Sequence, residues 1–356
     1  MQVGQLGERQ VIKALLRPWP APTRDVTVGP GDDCAMIRSR SGAAWVVTTD
    51  QLIEGTHFDW SWSTPAQLGR RAGAVTLSDI AAMGGVPRYL LVSLGLPPRT
   101  SVAVVTGFYG GLRKLLSRHK VQLIGGDTAA ARRFHAVMVA IGEVEPQLAV
   151  TRSGARPGDL LMVTGTLGDA AAGLRLLRRG GRARRAASSR ALIRRQLIPT
   201  PRLEAGRALA SHRIATAMLD LSDGLMIDLD RLCRASGVGA TLLIDQLPIS
   251  PSLAAYGRQT NQDPVRLALA GGEDYELLFT IRPAAAARCA QLLRRLRLSC
   301  RRIGTIDRPT ADRMPSGPAV TVITRAGRRQ TLRSFITAQR IRGFEHFRAP
   351  ARRGRA

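Results

Sequence analysis

Residues 77–97 read LSDIAAMGGVPRYLLVSLGLP. An aspartate sits in a run of small and apolar residues, a Gly-Gly pair breaks the run, and the apolar stretch YLLVSLGL (89–96) reads as a buried strand. Upstream, Thr64 followed by Pro65 combines an N-cap with proline at the first helical position, so a helix is predicted from there to Gly84–Gly85. The same alternation extends outward. A helix is expected near 6–16 and strands at 34–37 and 44–49; after the quoted stretch come a helix over 101–118 and strands at 121–124 and 134–144. Gly, Pro and polar residues gather in VTRSGARPGD (150–159), which marks a domain boundary. A second series follows, with strands at 160–165, 215–219, 275–281, 302–306 and 319–324 and helices after Gly168, over 223–235 and over 284–296. Residues 178–195 read as a basic connector. The fold class is α/β in two lobes, with domains at 1–149 and 150–347 and a basic tail, RAPARRGRA (348–356), expected to be disordered.

The charge balance is lopsided, with 53 Lys plus Arg against 26 Asp plus Glu, a formal net charge of +27. Such an excess invites a nucleic-acid reading. Yet the only lysines are Lys13, Lys114 and Lys120, so arginine has replaced lysine throughout, a pattern of GC-rich coding more than of a binding surface. Aromatics are 4% and no nucleic-acid-binding motif accompanies the charge, so no specific nucleic-acid partner is expected. No apolar run reaches the ~18–20 residues of a membrane span. Cys34, Cys233, Cys289 and Cys300 are dispersed, without a CxxC pair, which suits free thiols in a reducing compartment; a cytoplasmic protein is expected.

Acidic residues are therefore scarce, and where they gather is informative. They recur in GDD (31–33), TTD (48–50), LSD (77–79), GGD (125–127), LDLSD (219–223) and GGED (271–274), mostly at element ends beside Gly, Ser or Thr. Singly, each is an N-cap or a turn. Together, carboxylates converging on one cleft would repel each other unless cations lay between them, and Mg²⁺ is commonly shared between carboxylates and substrate phosphates. The usual phosphate-binding signatures are missing: no lysine precedes Ser or Thr as a Walker A loop requires, and neither GxGxxG nor the protein-kinase HRD and DFG motifs occur. An ATP site here would rest on metal, carboxylates, arginine and Gly-rich backbone.

The segments GPGDDCAMI (29–37), VVTTDQLIEGTHF (46–58), the quoted 77–97, LIGGDTA (123–129), TRSGARPGD (151–159), VTGTLGDAAAGL (163–174), LDLSDGL (219–225), AGGEDYELLF (270–279) and GFEHF (343–347) stand in the order seen in the thiamine-monophosphate kinase family, which the chain resembles over about residues 4–347. That family lies in the aminoimidazole ribonucleotide synthetase-like superfamily. The resemblance implies an N-terminal sheet domain that forms a homodimer, a C-terminal α/β domain, ATP between them, several Mg²⁺ ions, and in-line phosphorylation of thiamine monophosphate to thiamine diphosphate. Carried over, Asp33, Thr48, Thr49, Asp50, Asp79, Asp127, Asp220 and Asp223 resemble the metal-binding set, with Asp50, Asp127 and Asp223 closest to the chemistry. Asp32 would mainly shape its turn. Tyr109, Gly126, Asp127, Arg152 and Ser222 resemble ATP contacts, and His57, Glu273 and Phe344 contacts to thiamine phosphate, where His57 or Phe344 alone would read as ordinary packing.

Thr76 stands where the family more often has asparagine, which implies a looser setting for Asp79, and the arginine density of 178–195 is unusual. Two other readings stay open: another ATP-using enzyme of the superfamily, and a basic nucleic-acid-binding module, in which the carboxylates would be scattered over the surface.

Overall fold

The computed structural model describes residues 8–18, 22–39, 42–180, 187–309, 320–324 and 327–338. Its first lobe runs α1 (Glu8–Leu16), β1 (Val26–Val28), β2 (Ala35–Arg38), β3 (Ala44–Ile53), α2 (Pro65–Ala82), β4 (Val86–Leu96), α3 (Val102–His119), β5 (Gln122–Ala130) and β6 (His135–Val144). The second runs β7 (Leu160–Thr164), α4 (Asp169–Arg179), α5 (Ala187–Leu197), α6 (Leu203–Ser211), β8 (Ala215–Asp220), α7 (Leu225–Ser236), β9 (Gly239–Leu243), α8 (Pro251–Thr260), α9 (Pro264–Ala270), β10 (Leu277–Ile281), α10 (Ala286–Arg295), β11 (Cys300–Asp307), β12 (Val320–Ile323), β13 (Arg329–Thr331) and α11 (Leu332–Ala338). Six strands form one sheet, ordered β1-β2-β3-β6-β4-β5, and seven a second, ordered β13-β12-β9-β11-β7-β10-β8. Pairing is antiparallel except for β4 with β5 and β9 with β12.

Strand β6 alternates strictly between half-buried and buried positions, as a sheet covered on one face should. Ala136, Met138 and Ala140 point into the core under α2, while Val137, Val139 and Ile141 face the other way and are only half-buried. Val47 and Leu91 stand beside them on that second face. At the sheet's edge every residue of β5 is exposed, Leu123 and Ile124 included.

Helix α2 joins the two lobes. The Thr64 hydroxyl accepts a hydrogen bond from the Gln67 N–H and the Gln67 side-chain oxygen accepts one from the Thr64 N–H, so the predicted start is a full capping box with Pro65 in the first turn. The helix packs on α3, β3 and β6 of its own lobe and on α5, α6 and β8 of the other, and is buried nearly all round. Its small residues allow this. A Cβ added to Gly206 on α6 would stand 2.0 Å from the Ala81 carbonyl oxygen, so the two helices meet with backbone almost touching. One apolar core therefore runs from Val46, Ile80 and Met138 across to Leu209, Met218 and Phe279.

Several elements differ from expectation. The strand expected at 121–124 extends to Ala130, and the one expected from 275 begins at Leu277 because Glu273 and Tyr275 adopt left-handed backbone, with φ of 67° and 50°. The end of the basic connector is helical, as α5. Helices α6, α8 and α9 and strand β9 were not anticipated. Phe344 and the tail 348–356 lie outside the described residues.

Candidate active site at the seam of the two lobes

Strand β3 turns Thr48 and Asp50 toward α2, and α2 presents Thr76, Ser78 and Asp79 to them and to the second lobe. The Thr48 hydroxyl donates to Asp79 Oδ2 at 2.5 Å, and the Ser78 hydroxyl donates across the seam to Asp220 Oδ2, at the end of β8, at 2.6 Å. Asp33 enters from the turn before β2. One carboxylate oxygen from each of Asp33, Asp79 and Asp220 lies within 4.8 Å of the others.

Burial and mutual repulsion act together on this trio. Desolvation pushes Asp33 up to about 7, with Asp220 and Asp32 adding to it and Arg152 opposing. Asp79 is raised well above its ordinary value by burial and then by Asp50, Asp220 and Asp33. Asp220 rises to about 6, chiefly by burial, against the hydrogen bond from Ser78. Asp50, beside them, also rises to about 6 through burial and the charge of Asp223. The Thr76 hydroxyl donates to the Ala72 carbonyl at 3.0 Å within α2, and it is Thr48 that bonds Asp79. Carboxylates clustered in this way, with few compensating cations, have the chemistry to suit a hard divalent ion. Asp33 Oδ2 fits that use: it is buried with no partner among the described residues.

Arg152 is held here by the GDD turn. Its guanidinium donates to Asp33 Oδ1 at 2.6 Å and to the Gly31 carbonyl at 3.2 Å, while its N–H donates to Asp32 Oδ2 at 3.1 Å. Asp32 also accepts the Asp33 N–H at 3.0 Å, so it ties the turn to the start of the second domain. Asp223 opens the turn before α7, where Gly224 takes a φ of 110°, and forms an ion pair with Arg231 at 2.6 Å. Buried Asp228, raised to about 8 by desolvation, accepts the N–H groups of Asp223 and Gly224 and fixes that turn. Ser222 accepts the Glu273 N–H through its carbonyl at 2.7 Å.

His57 lies in the turn after β3, and its Nδ1 accepts the Ile53 N–H at 3.0 Å, which leaves the proton of the neutral ring on Nε2. Glu273, in the second lobe, pairs with Arg71 of α2, whose guanidinium also donates to the His57 carbonyl. Fully buried Glu276, two residues beyond the Asp of GGED, is pushed up by desolvation but held below its ordinary value by Arg202 and Arg195, the latter from the supposed connector.

Not every expected ligand converges. Strand parity puts Thr49, exposed, on the opposite face of the sheet from Thr48 and Asp50. Asp127 and Gly126 are exposed on edge strand β5; Asp127 pairs in register with Ser93 and accepts its own neighbour's N–H from Thr128 at 2.8 Å. Tyr109 is half-buried on α3, edge-on to Phe108 at 5.6 Å between ring centroids. Sequence reasoning passed over Ser78, Arg71 and Gln196. Ser78 was visible in LSD as the neighbour of a chosen aspartate, whereas nothing in the sequence marks Arg71 or Gln196.

Two lobes of this build, meeting at a carboxylate cluster, are those of an AIR synthase related protein: residues 31–144 match the N-terminal domain of that family and residues 156–313 its C-terminal domain. A thiamine-monophosphate kinase of Salmonella typhimurium is 41% identical over 257 residues, 72% of this chain and 77% of its own length. That of Haemophilus influenzae is 36% identical over 310 residues, 87% and 92% of the two chains. The solved complex of AaThiL with AMPPCP and TMP superimposes with a TM-score of 0.81 at 32% identity, covering 98% of this chain and 99% of that one. The chain belongs to the thiamine-monophosphate kinase family.

Proposed function

We propose that the protein transfers the γ-phosphoryl group of ATP to the phosphate of thiamine monophosphate, yielding thiamine diphosphate and ADP, as its family membership implies. The observation that carries the reading is the convergence of Asp33, Asp79 and Asp220, two of them buried and Asp79 half-buried, at the seam between the lobes. A basic nucleic-acid module has no use for such convergence.

An oxygen of the substrate phosphate attacks the γ-phosphorus; that P–O bond forms as the bond to the β-phosphate bridging oxygen breaks and ADP leaves with the electron pair. The acceptor is already ionised, so no side-chain nucleophile and no strong general base is needed. Asp33, Asp79 and Asp220, with Asp50 and Asp223 at their rim, would hold more than one Mg²⁺, which supplies the positive charge that offsets repulsion between two polyanions. Thr48 and Ser78 orient the carboxylates, and Arg152 anchors Asp33 beside the triphosphate path. Asp127, Gly126, Tyr109 and Ser222 complete the ATP site in this reading, with Thr49 contributing backbone only. His57, Glu273 and Phe344 recognise the thiamine moiety.

A homodimer through the first sheet is supported by the wholly exposed edge strand β5 and the apolar, half-buried face of Val47, Leu91, Val137, Val139 and Ile141. Such a dimer would cover both and bring Asp127 into its seam. No helix among the described residues is long and apolar enough to cross a membrane, and the four cysteines are free thiols, which suits the cytoplasm. An ADP-release assay with ATP, Mg²⁺ and thiamine monophosphate tests the function. Turnover is expected with the monophosphate and none with unphosphorylated thiamine; equal turnover with both would refute transfer between two phosphates.

A further inference from the structure

Arg71 is 1% exposed and is among the largest fully buried side chains of the protein. A guanidinium so deep in α2 is kept only by its partners. One terminal nitrogen, Nη1, donates to the His57 carbonyl at 2.9 Å. The other donates to Glu273 Oε1, in the second lobe, and Glu273 Oε2 accepts from Gln196 Nε2 of α5 at 2.5 Å. The planar fork of arginine suits this task, since two rigidly spaced donors reach two acceptors on different lobes at once.

The arrangement is not built for stability alone. Arg71 Nε and Gln196 Oε1 are buried without a partner among the described residues, and Glu273 is held in left-handed backbone at a φ of 67°. Both features cost stability. What they deliver is a fixed Glu273: clamped on one carboxylate oxygen by α2, on the other by α5, and at its own N–H by the Ser222 carbonyl, with a quarter of its side chain still open, at 26% exposure. The same guanidinium fixes the turn that carries His57.

We propose that Arg71 is a positioning residue for the acceptor substrate: it locks the His57 turn of one lobe to the Glu273 loop of the other, so that both meet thiamine monophosphate in one geometry. This rests on the reading of His57 and Glu273 as substrate contacts. It assigns Arg71 no contact with ATP, whose carboxylate site lies further along α2 at Ser78 and Asp79.

The test uses the full-length enzyme with Arg71→Met, which keeps the apolar stem, and Arg71→Lys, whose ammonium reaches either acceptor but does not span both as a rigid fork. Each substrate is varied separately. Arg71→Met is expected to raise KM for thiamine monophosphate about ten-fold with KM for ATP within about two-fold, and Arg71→Lys to raise the former only about three-fold. Equal rises in both KM values, or no graded rescue by lysine, would overturn the proposal, because a merely structural arginine damages the whole cleft. If Arg71→Met does not fold, Arg71→Lys decides alone: a rise confined to the acceptor supports the clamp, and two unmoved KM values overturn it. Glu273→Gln separates the two levels. If it raises KM for thiamine monophosphate while Arg71→Met does not, the clamp is wrong; if it leaves that KM unmoved, the substrate reading of Glu273 fails and the clamp with it.

Discussion

Replacing Asp220 by asparagine is expected to make the metal-free protein more stable and the enzyme nearly inactive. The side chain is 3% exposed at the end of β8, and its Oδ2 accepts the Ser78 hydroxyl at 2.6 Å, a bond that the asparagine oxygen can retain. Its carboxyl is raised from 3.8 to about 6, first by burial and then by Asp50 and Asp223. A raised acid binds its proton more tightly folded than unfolded, so its share of stability is intact below about pH 4. It is lost as pH climbs from the unfolded value toward 6, and stays lost above that. Two units correspond to roughly 3 kcal/mol at about 1.4 kcal/mol per unit. The metal-free variant should therefore exceed the parent by up to about 3 kcal/mol at pH 8 and match it at pH 4. Mg²⁺ should reverse the order at pH 8, since the lost charge is a lost ligand, and kcat/KM should fall by about 10³ or more. Thermal unfolding at both pH values with EDTA or Mg²⁺, beside an ADP-release assay, reads all three effects. An asparagine variant less stable than the parent in EDTA at pH 8, or one that gains as much from Mg²⁺, would refute the account of these carboxylates as a cation cradle.

Two further perturbations probe the supports of the site. Thr48→Val removes the 2.5 Å bond to Asp79 Oδ2, so the Asp79 proton should be harder to displace and half-maximal activity should need about ten-fold more Mg²⁺; an unchanged Mg²⁺ titration would show that the hydroxyl is incidental. Ile124→Glu places a charge on the exposed edge strand β5 and should leave a monomer by light scattering at micromolar concentration, whereas a persistent dimer would move the interface elsewhere.

The residues that spelled out local chemistry were legible, and those that depended on direction or distance were not. Thr64–Pro65 predicted the start of α2 because capping is a local event. Ser250–Pro251 and Asp263–Pro264 carry the same signal and begin α8 and α9, but the short apolar runs behind them hid it. Arginines masked α5: of its buried positions, Ser189, Leu192, Gln196 and Leu197, two are polar, too mixed a set to announce an amphipathic face. In the site, the acid clusters pointed to Asp33, Asp79 and Asp220, and these do converge. Thr48, Thr49 and Asp50 looked like one unit in sequence, yet a strand sends neighbours to opposite faces, so Thr49 parts from the other two. Arg71 was invisible because its partners lie 14 and 202 residues away.

The left-handed backbone at Glu273 and Tyr275 has a consequence for anyone who would engineer this protein. Non-glycine residues there cost roughly 1–2 kcal/mol each. Yet glycine at 275 would empty a buried ring position and glycine at 273 would leave the buried Arg71 guanidinium without its counter-charge, each a larger loss than the strain relieved. Glycine at 273 would relax the loop and discard the carboxylate that Arg71 and Gln196 hold in place. The strain at Glu273 is therefore retained by the ion pair it completes, and a library screened only for survival on heating would be expected to keep the carboxylate at 273, and acceptor recognition with it.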